Sequence, residues 1–379
     1  MQDELPLDPS ASRWERLTAL PGRVLRERPQ LIQGLGIGAA LLGYLLPLLF
    51  PVLSAVLLTK IVSALQSDGV AALAGQTPNL VVLALCIALT VSLWRLRAQD
   101  PAGEPLTEQQ APELFKLVDE LRDAFKVPPI VDIHLADTPQ LAVHRIPRTG
   151  YPFLFRHVLV AGLPALQCLS LDQFKCLLAS HLGELSAVRT DVAGWIAQMV
   201  RSWEAYRPAV AGRWTPAALL YRGLLAGYAP LLKALTARLD RDHRLRRDHY
   251  AQEIASDDLV VEMLAGEVIM QRFLQEHYWP TVYRTAEHSA TPNFKVFRNL
   301  EAVFRRRTDR DTVALWLREA FVGKWRSDER DPGLKARLHE IGHSDIDYRQ
   351  PEGSSAAQVL LGASHQWVLD RCDARWAEE

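Results

Sequence analysis

The chain has 379 residues, 49% of them hydrophobic, and a formal net charge of -1. That length and apolar content suffice for one large core plus an accessory segment, and the near-zero charge argues against a general nucleic-acid binder, which needs a strong positive field. Cys86, Cys168, Cys176 and Cys372 show neither CxxC spacing nor disulfide density, so they read as reduced, mainly buried thiols.

Residues 1–30 contain Arg13, Arg16, Arg23, Arg26 and Arg28 and read as a cytoplasmic N-terminal segment. From Leu31 to Thr59 there is no charged residue, which is enough chain to cross the hydrocarbon core with length to spare. Pro47 and Pro51 predict a kink. A second uncharged stretch runs from Gly69 to Trp94, most apolar from Leu80 onward, and ends at Arg95 and Arg97. Residues 31–97 therefore read as two transmembrane helices, with buried core helices as the competing account. A cleaved signal peptide fits poorly, because the first run starts late and is too long. The connection between the spans offers only Lys60 as a base, so the positive-inside rule places both termini and the main domain in the cytoplasm of a multi-pass inner-membrane protein.

Residues 98–106, "AQDPAGEPL", read as the linker out of the membrane. Thr107 is then the expected N-cap of a helix whose Leu114, Leu117, Leu121 and Phe125 share one face. Short β-branched runs predict strands near Ile130 to Leu135 and His157 to Ala161. Ser170 is expected to cap a long helix running toward Tyr206, followed by helices at about 215–240, 244–279 and 311–323 and a closing helix with Trp367 and Trp376. The predicted fold class is mainly α with a small β-sheet, that is, α+β.

Within the long helix, "LLASHLGELSAVR" at 177–189 sets Ser180, His181 and Glu184 at i, i+1 and i+4 among apolar residues. In HExxH zinc peptidases two histidines four residues apart bind the metal from one helix face, and the glutamate beside the first activates the bound water. This helix, together with "LTEQQAPELFKLVDELR", "HVLVAGLP", "RRDHYAQEIASDD" and "DPGLKARLHEIG", resembles in order and spacing the membrane-anchored zinc metallopeptidases of the HtpX and CAAX-prenyl-protease family. The resemblance covers roughly residues 104–345. It implies a zincin-like domain at 107–345 behind two transmembrane helices, with a helical extension at 346–379.

At the family's functional positions the residue types differ. The resemblance puts Ser180 where the first histidine ligand belongs, His181 where the catalytic glutamate belongs and Glu184 where the second histidine belongs. His249 stands for the ligand glutamate, Gln252 and Glu253 for Ala-Asp, and Asp331 for the histidine that steadies the transition state. Serine is a poor zinc ligand at neutral pH, and an imidazole does not replace a carboxylate base. The expected protein is thus a catalytically inactive homologue with no cofactor. It would serve as a binding, scaffolding or regulatory subunit, accepting an extended polypeptide by strand addition at the edge around His157 to Val160. The alternative is a metal-dependent hydrolase with a rebuilt zinc site: the family's fold would bring Glu184 and His249 face to face, where they could hold a metal weakly with Ser180 and a water, or simply form a hydrogen-bonded pair. A third reading makes the apolar runs contact surfaces of a soluble complex.

Other signals have ordinary accounts. His181 and Glu184 fall one histidine short of the inverted HxxEH motif, and adjacent helical residues such as Ser180 and His181 diverge too far for a nucleophile pair. The basic runs at 241–249 and 304–311 read as solvated helix faces, the first with head-group contact as a minority reading, and "HYWPTVY" at 277–283 as a packed helix end.

Overall fold

The computed structural model describes residues 29–151, 153–187, 191–287, 295–322, 333–346, 348 and 353–378. The basic N-terminal segment and Asp331 lie outside them. The chain is mainly helical with a small four-stranded mixed sheet, an α+β arrangement. It divides into two compact units, one of residues 1–100, 145–156 and 195–240, the other of 101–144, 157–194 and 241–379.

The first unit holds α1 (Pro29–Asp68) and α2 (Thr77–Arg95). Both are long and apolar enough to cross a membrane, and only 17% of the most apolar stretch of each is buried, unlike the core helix of a soluble protein. α1 runs through Pro47 and Pro51 as one helix. Leu57, Ile61 and Leu83 form the apolar seam between α1 and α2. The same unit includes most of α6 (Val192–Glu204), the short α7 (Tyr206–Val210) and the first part of α8 (Pro216–Gln252). Here Gly43 leaves room on α1 for the Tyr228 hydroxyl and the Trp203 ring, which a Cβ would displace. Tyr228 donates to Ala39 O at 2.6 Å, while Tyr206 and Tyr221 donate to the carbonyls of Thr149 and Gly150. The Gly150 amide in turn donates to Leu93 O at 2.8 Å, fixing the 148–151 segment on the last turn of α2.

The second unit carries the sheet, in the order β1-β2-β4-β3, built from β1 (Glu104–Leu106), β2 (Ile130–Ala136), β3 (Ala142–Pro147) and β4 (Phe155–Gly162). β2 pairs antiparallel with β1 and parallel with β4. β4 is therefore an interior strand, and the sequence-based expectation of a free edge at His157 to Val160 is wrong: the edges are β1 and β3, both too short or mixed in pattern to stand out in the sequence. A single apolar core joins α3 (Pro112–Ala124), β2, β4, α4 (Leu163–Cys168), α5 (Leu171–Ala187) and α9 (Asp257–Arg272).

Several helix ends correct the sequence expectations. α3 starts at Pro112, not after Thr107, whose amide is instead taken up by the Gln110 side chain in a preceding turn. Ser170 does cap α5: its Oγ accepts from Gln173 N and Gln173 Oε1 accepts from Ser170 N, both at 3.2 Å, a reciprocal capping box. α5 ends at Ala187 and α6 is a separate helix. α8 continues unbroken through residues 241–243 to Gln252, because nothing there breaks a helix. The interruption comes later, where Ser256 Oγ accepts from Leu259 N and Asp257 and Asp258 occupy the first turn of α9. After α9 a π-helical turn (Phe273–Tyr278) leads into α10 (Trp279–Glu287). Further helices follow at α11 (Val296–Arg307), α12 (Arg310–Phe321), α13 (Leu334–Glu340), α14 (Ala356–Leu361) and α15 (His365–Glu378). All four cysteines are free and buried.

Candidate functional site: a buried ion-pair centre

The crossing of α5 and α8 is set by Gly183, since a Cβ there would lie on the Tyr250 ring. This close approach brings the polar residues of α5 against the second half of α8, within the second unit. Ser180 is fully buried, and its hydroxyl donates to Leu177 O of its own helix at 2.8 Å. It thus turns back along the helix, the usual solution for a serine in an apolar helix.

Glu184 is 7% exposed, and its Oε1 lies 3.4 Å from Nε2 of His243, which is itself 2% exposed. The other ring nitrogen of His243 faces Asp191 Oδ2 at 3.8 Å, and Arg246 approaches the same carboxylate at 3.7 Å. The expected juxtaposition of Glu184 with His249 gives way to this pairing with His243. His249 lies six residues further along α8, about 9 Å at 1.5 Å per residue. Both of its ring nitrogens are engaged elsewhere, Nδ1 with Gln252 Oε1 at 2.8 Å and Nε2 with Glu340 Oε1 at 3.7 Å, on a half-exposed surface.

Among the described residues His181 is the most perturbed imidazole. Burial, with the cations of Arg247 and Arg337 adding to it against Glu184 and Glu267, pushes it down to about 3. It is neutral at physiological pH. Cys176, also on α5, is pushed up to about 12 by burial and by Asp248, so its thiol is inert as a nucleophile.

The centre is completed by residues that carry no motif. Arg337 on α13 sends Nε to Asp248 Oδ2 and Nη2 to Asp248 Oδ1, each at 2.8 Å, and Nη1 to Glu267 Oε2 at 2.8 Å. Asp248 is fully buried. Burial opposes ionisation of Glu267, yet Arg337 and Arg247, helped by the hydrogen bond from Arg337, hold its carboxyl down at about 2. Burial likewise disfavours the Arg337 cation, and the charges of Asp248 and Glu267 more than restore it. Here the basic run at 241–249 departs from a solvated face: His243 and Asp248 point into the interior. A buried arginine between two acids leaves no signature in a single sequence, since "LKARLHE" has the composition of an exposed helix.

The donor set does not suit a zinc ion of the kind the resemblance implies. Glu184 and Asp191 approach opposite nitrogens of one ring, so the two carboxylates cannot converge on a common ion. Glu184 and His243 alone supply two donors where zinc sites use three or four protein ligands. Among the described residues no group of three or more His, Cys, Asp or Glu side chains is placed to hold a metal ion. Comparison of the chain with family models, curated proteins and solved structures gives no match.

Proposed function

We propose that the chain is a membrane-anchored relative of the HtpX and CAAX-prenyl-protease type whose peptidase centre has been replaced by a self-neutralising ion-pair cluster. In this reading α1 and α2 span the inner membrane, with both termini and the second unit in the cytoplasm. The protein acts as a binding, scaffolding or regulatory subunit for a membrane or polypeptide partner. The observation that supports it best is the Arg337–Asp248–Glu267 clamp, which engages as ion pairs two carboxylates that a hydrolytic site would keep open, with Glu184 set against His243. An extended partner strand would have to add to β3, six residues long, rather than to β1, whose three residues include Pro105 and so lack one amide.

The rival reading, a metal-dependent hydrolase with a rearranged site, draws its support from His243 Nε2, a buried nitrogen with no aligned hydrogen-bond partner, facing Glu184. Metal analysis of the detergent-purified chain separates the two. Substoichiometric zinc and no cleavage of unfolded casein support the binding subunit. Stoichiometric zinc that disappears in His243→Ala would establish the rival.

A further inference from the structure

We infer that the corner joining α7 to α8 is an anchor for anionic lipid head groups, seated beside the cytoplasmic end of α2. Between residues 195 and 236 the basic residues are Arg201, Arg207, Arg213, Arg222 and Lys233, against Glu204 as the lone acid. A chain of net charge -1 thus concentrates positive charge in one stretch. At the corner this stretch also presents apolar surface: Trp214 is 80% exposed and Leu219 48%. The Arg222 guanidinium lies over the Trp214 ring, 5.0 Å from its centroid, and donates to Arg213 O at 2.6 Å. An exposed indole flanked by arginines that its own fold holds in place is the composition of a membrane-interface anchor, where the ring sits at head-group level and the cations meet phosphate.

The corner's place in the first unit fixes its depth. Ala217 N, in the first turn of α8, donates to Ser92 Oγ at 3.2 Å, and Ser92 lies three residues before the end of α2 at Arg95. Tyr221, one turn further on, bonds the carbonyl of Gly150, whose amide is bound to Leu93 O. If α2 crosses the bilayer, its last turn marks the head-group layer, and Trp214, Arg213 and Arg222 stand at that level. The occupant is accordingly an anionic phospholipid surface, for which the excess of cations is complementary. The inference rests on the membrane anchoring proposed above.

The test uses the full chain reconstituted into vesicles, with an NBD label on Trp214→Cys; the native cysteines are buried and leave the new thiol selectively reactive. Leu85→Cys, on the exposed side of α2, reports the span itself, and Val359→Cys, on the second unit, reports water. Brominated phospholipids in phosphatidylcholine–phosphatidylglycerol vesicles are expected to quench the labels at 85 and 214 and leave 359 unquenched. Quenching at 214 should weaken when phosphatidylglycerol is omitted, and in an Arg207→Gln, Arg213→Gln, Arg222→Gln background. Quenching at 85 but not at 214 overturns the anchor while the span stands, and a blue-shifted but unquenched 214 label assigns the corner to a protein contact instead. Absence of quenching at both positions overturns the span and the anchor together.

Discussion

Arg337 holds Asp248 with the Nε–Nη2 edge of its guanidinium fork, two parallel bonds of 2.8 Å to a carboxylate that has no solvent contact. Removing the arginine leaves the buried Asp248 and the partly buried Glu267 without their hydrogen-bonded cation, with only the more distant Arg247 to offset them. Arg337→Ala is expected to destabilise the second unit by about 3–5 kcal/mol, the cost of breaking one partner out of a buried pair. Arg337→Lys should recover only part of it, because an ammonium cannot match the fork. Denaturant melts of the detergent-purified variants measure both, and a loss under about 1 kcal/mol for the alanine variant would mean that the clamp is not formed.

The same centre predicts an acid limb in two stages. His181 titrates at about 3 in the fold against an ordinary 6.5, so between those values the unfolded chain binds a proton that the folded one refuses, and stability falls as pH drops from 6.5. Glu267 titrates at about 2 against an ordinary 4.5, so its contribution is complete above 4.5 and is lost as pH falls from there toward 2. His181→Gln should flatten the stability profile from pH 6.5 down to about 3, and Glu267→Gln the part from 4.5 down to about 2, so that only the stretch between 6.5 and 4.5 belongs to His181 alone. Profiles of thermal midpoint against pH for the two variants check the assignment, and identical profiles would refute it.

Gly183 should be intolerant of the smallest side chain. Alanine is the better helix former by about 1 kcal/mol, yet at this position its Cβ would occupy the Tyr250 ring and force α5 and α8 apart. Gly183→Ala is expected to cost about 1–3 kcal/mol of stability, typical of overpacking. Adding Tyr250→Ala, which vacates the space, should return part of that loss in a double-mutant cycle.

How much of this was legible in the sequence depends on the range of the forces involved. The apolar lengths of α1 and α2, the Ser170 cap and the buried face of Leu114, Leu117 and Leu121 follow from local composition and period, and the structure shows each of them. The partner of Glu184 does not follow from them. Whether it meets position 243 or 249 is decided by where α8 crosses α5, and that depends on a glycine–tyrosine contact between residues 67 apart in the chain. The division into units escaped for the same reason: residues 195–240 follow α5 in the chain, but the Tyr228 hydroxyl and Trp203 pack against α1, in the other unit from α5. β1 and β3 were missed because they are short or mixed in pattern, and pairing with β2 and β4 rather than their own sequence defines them.

Ser180 makes a contrasting case, a buried polar residue whose loss should matter little. Its hydroxyl bonds only the carbonyl of Leu177, which already serves as an acceptor within the helix. Ser180→Ala is expected to shift stability by less than about 1 kcal/mol in either direction. A loss of several kcal/mol would show that the hydroxyl serves a partner beyond its own helix.

Zinc titration is the most direct check on the ion-pair centre. A ligand that binds only the folded state stabilises it by RT ln(1 + [L]/Kd), about 2.7 kcal/mol at a hundredfold excess over Kd, so even a micromolar site would raise the thermal midpoint visibly at 100 times that concentration. With Glu184 set on His243 and His243 also facing Asp191, an entering ion would have to break these contacts and would gain two donors. The expected result is no shift on adding zinc and none on treatment with EDTA. Glu184→Ala, by contrast, should destabilise the chain whether or not metal is present, since it leaves the buried His243 facing a void. A zinc-dependent rise in midpoint that Glu184→Ala abolishes would mean that the carboxylate–imidazole pair opens to take a metal, and would put the hydrolase reading ahead of the binding subunit.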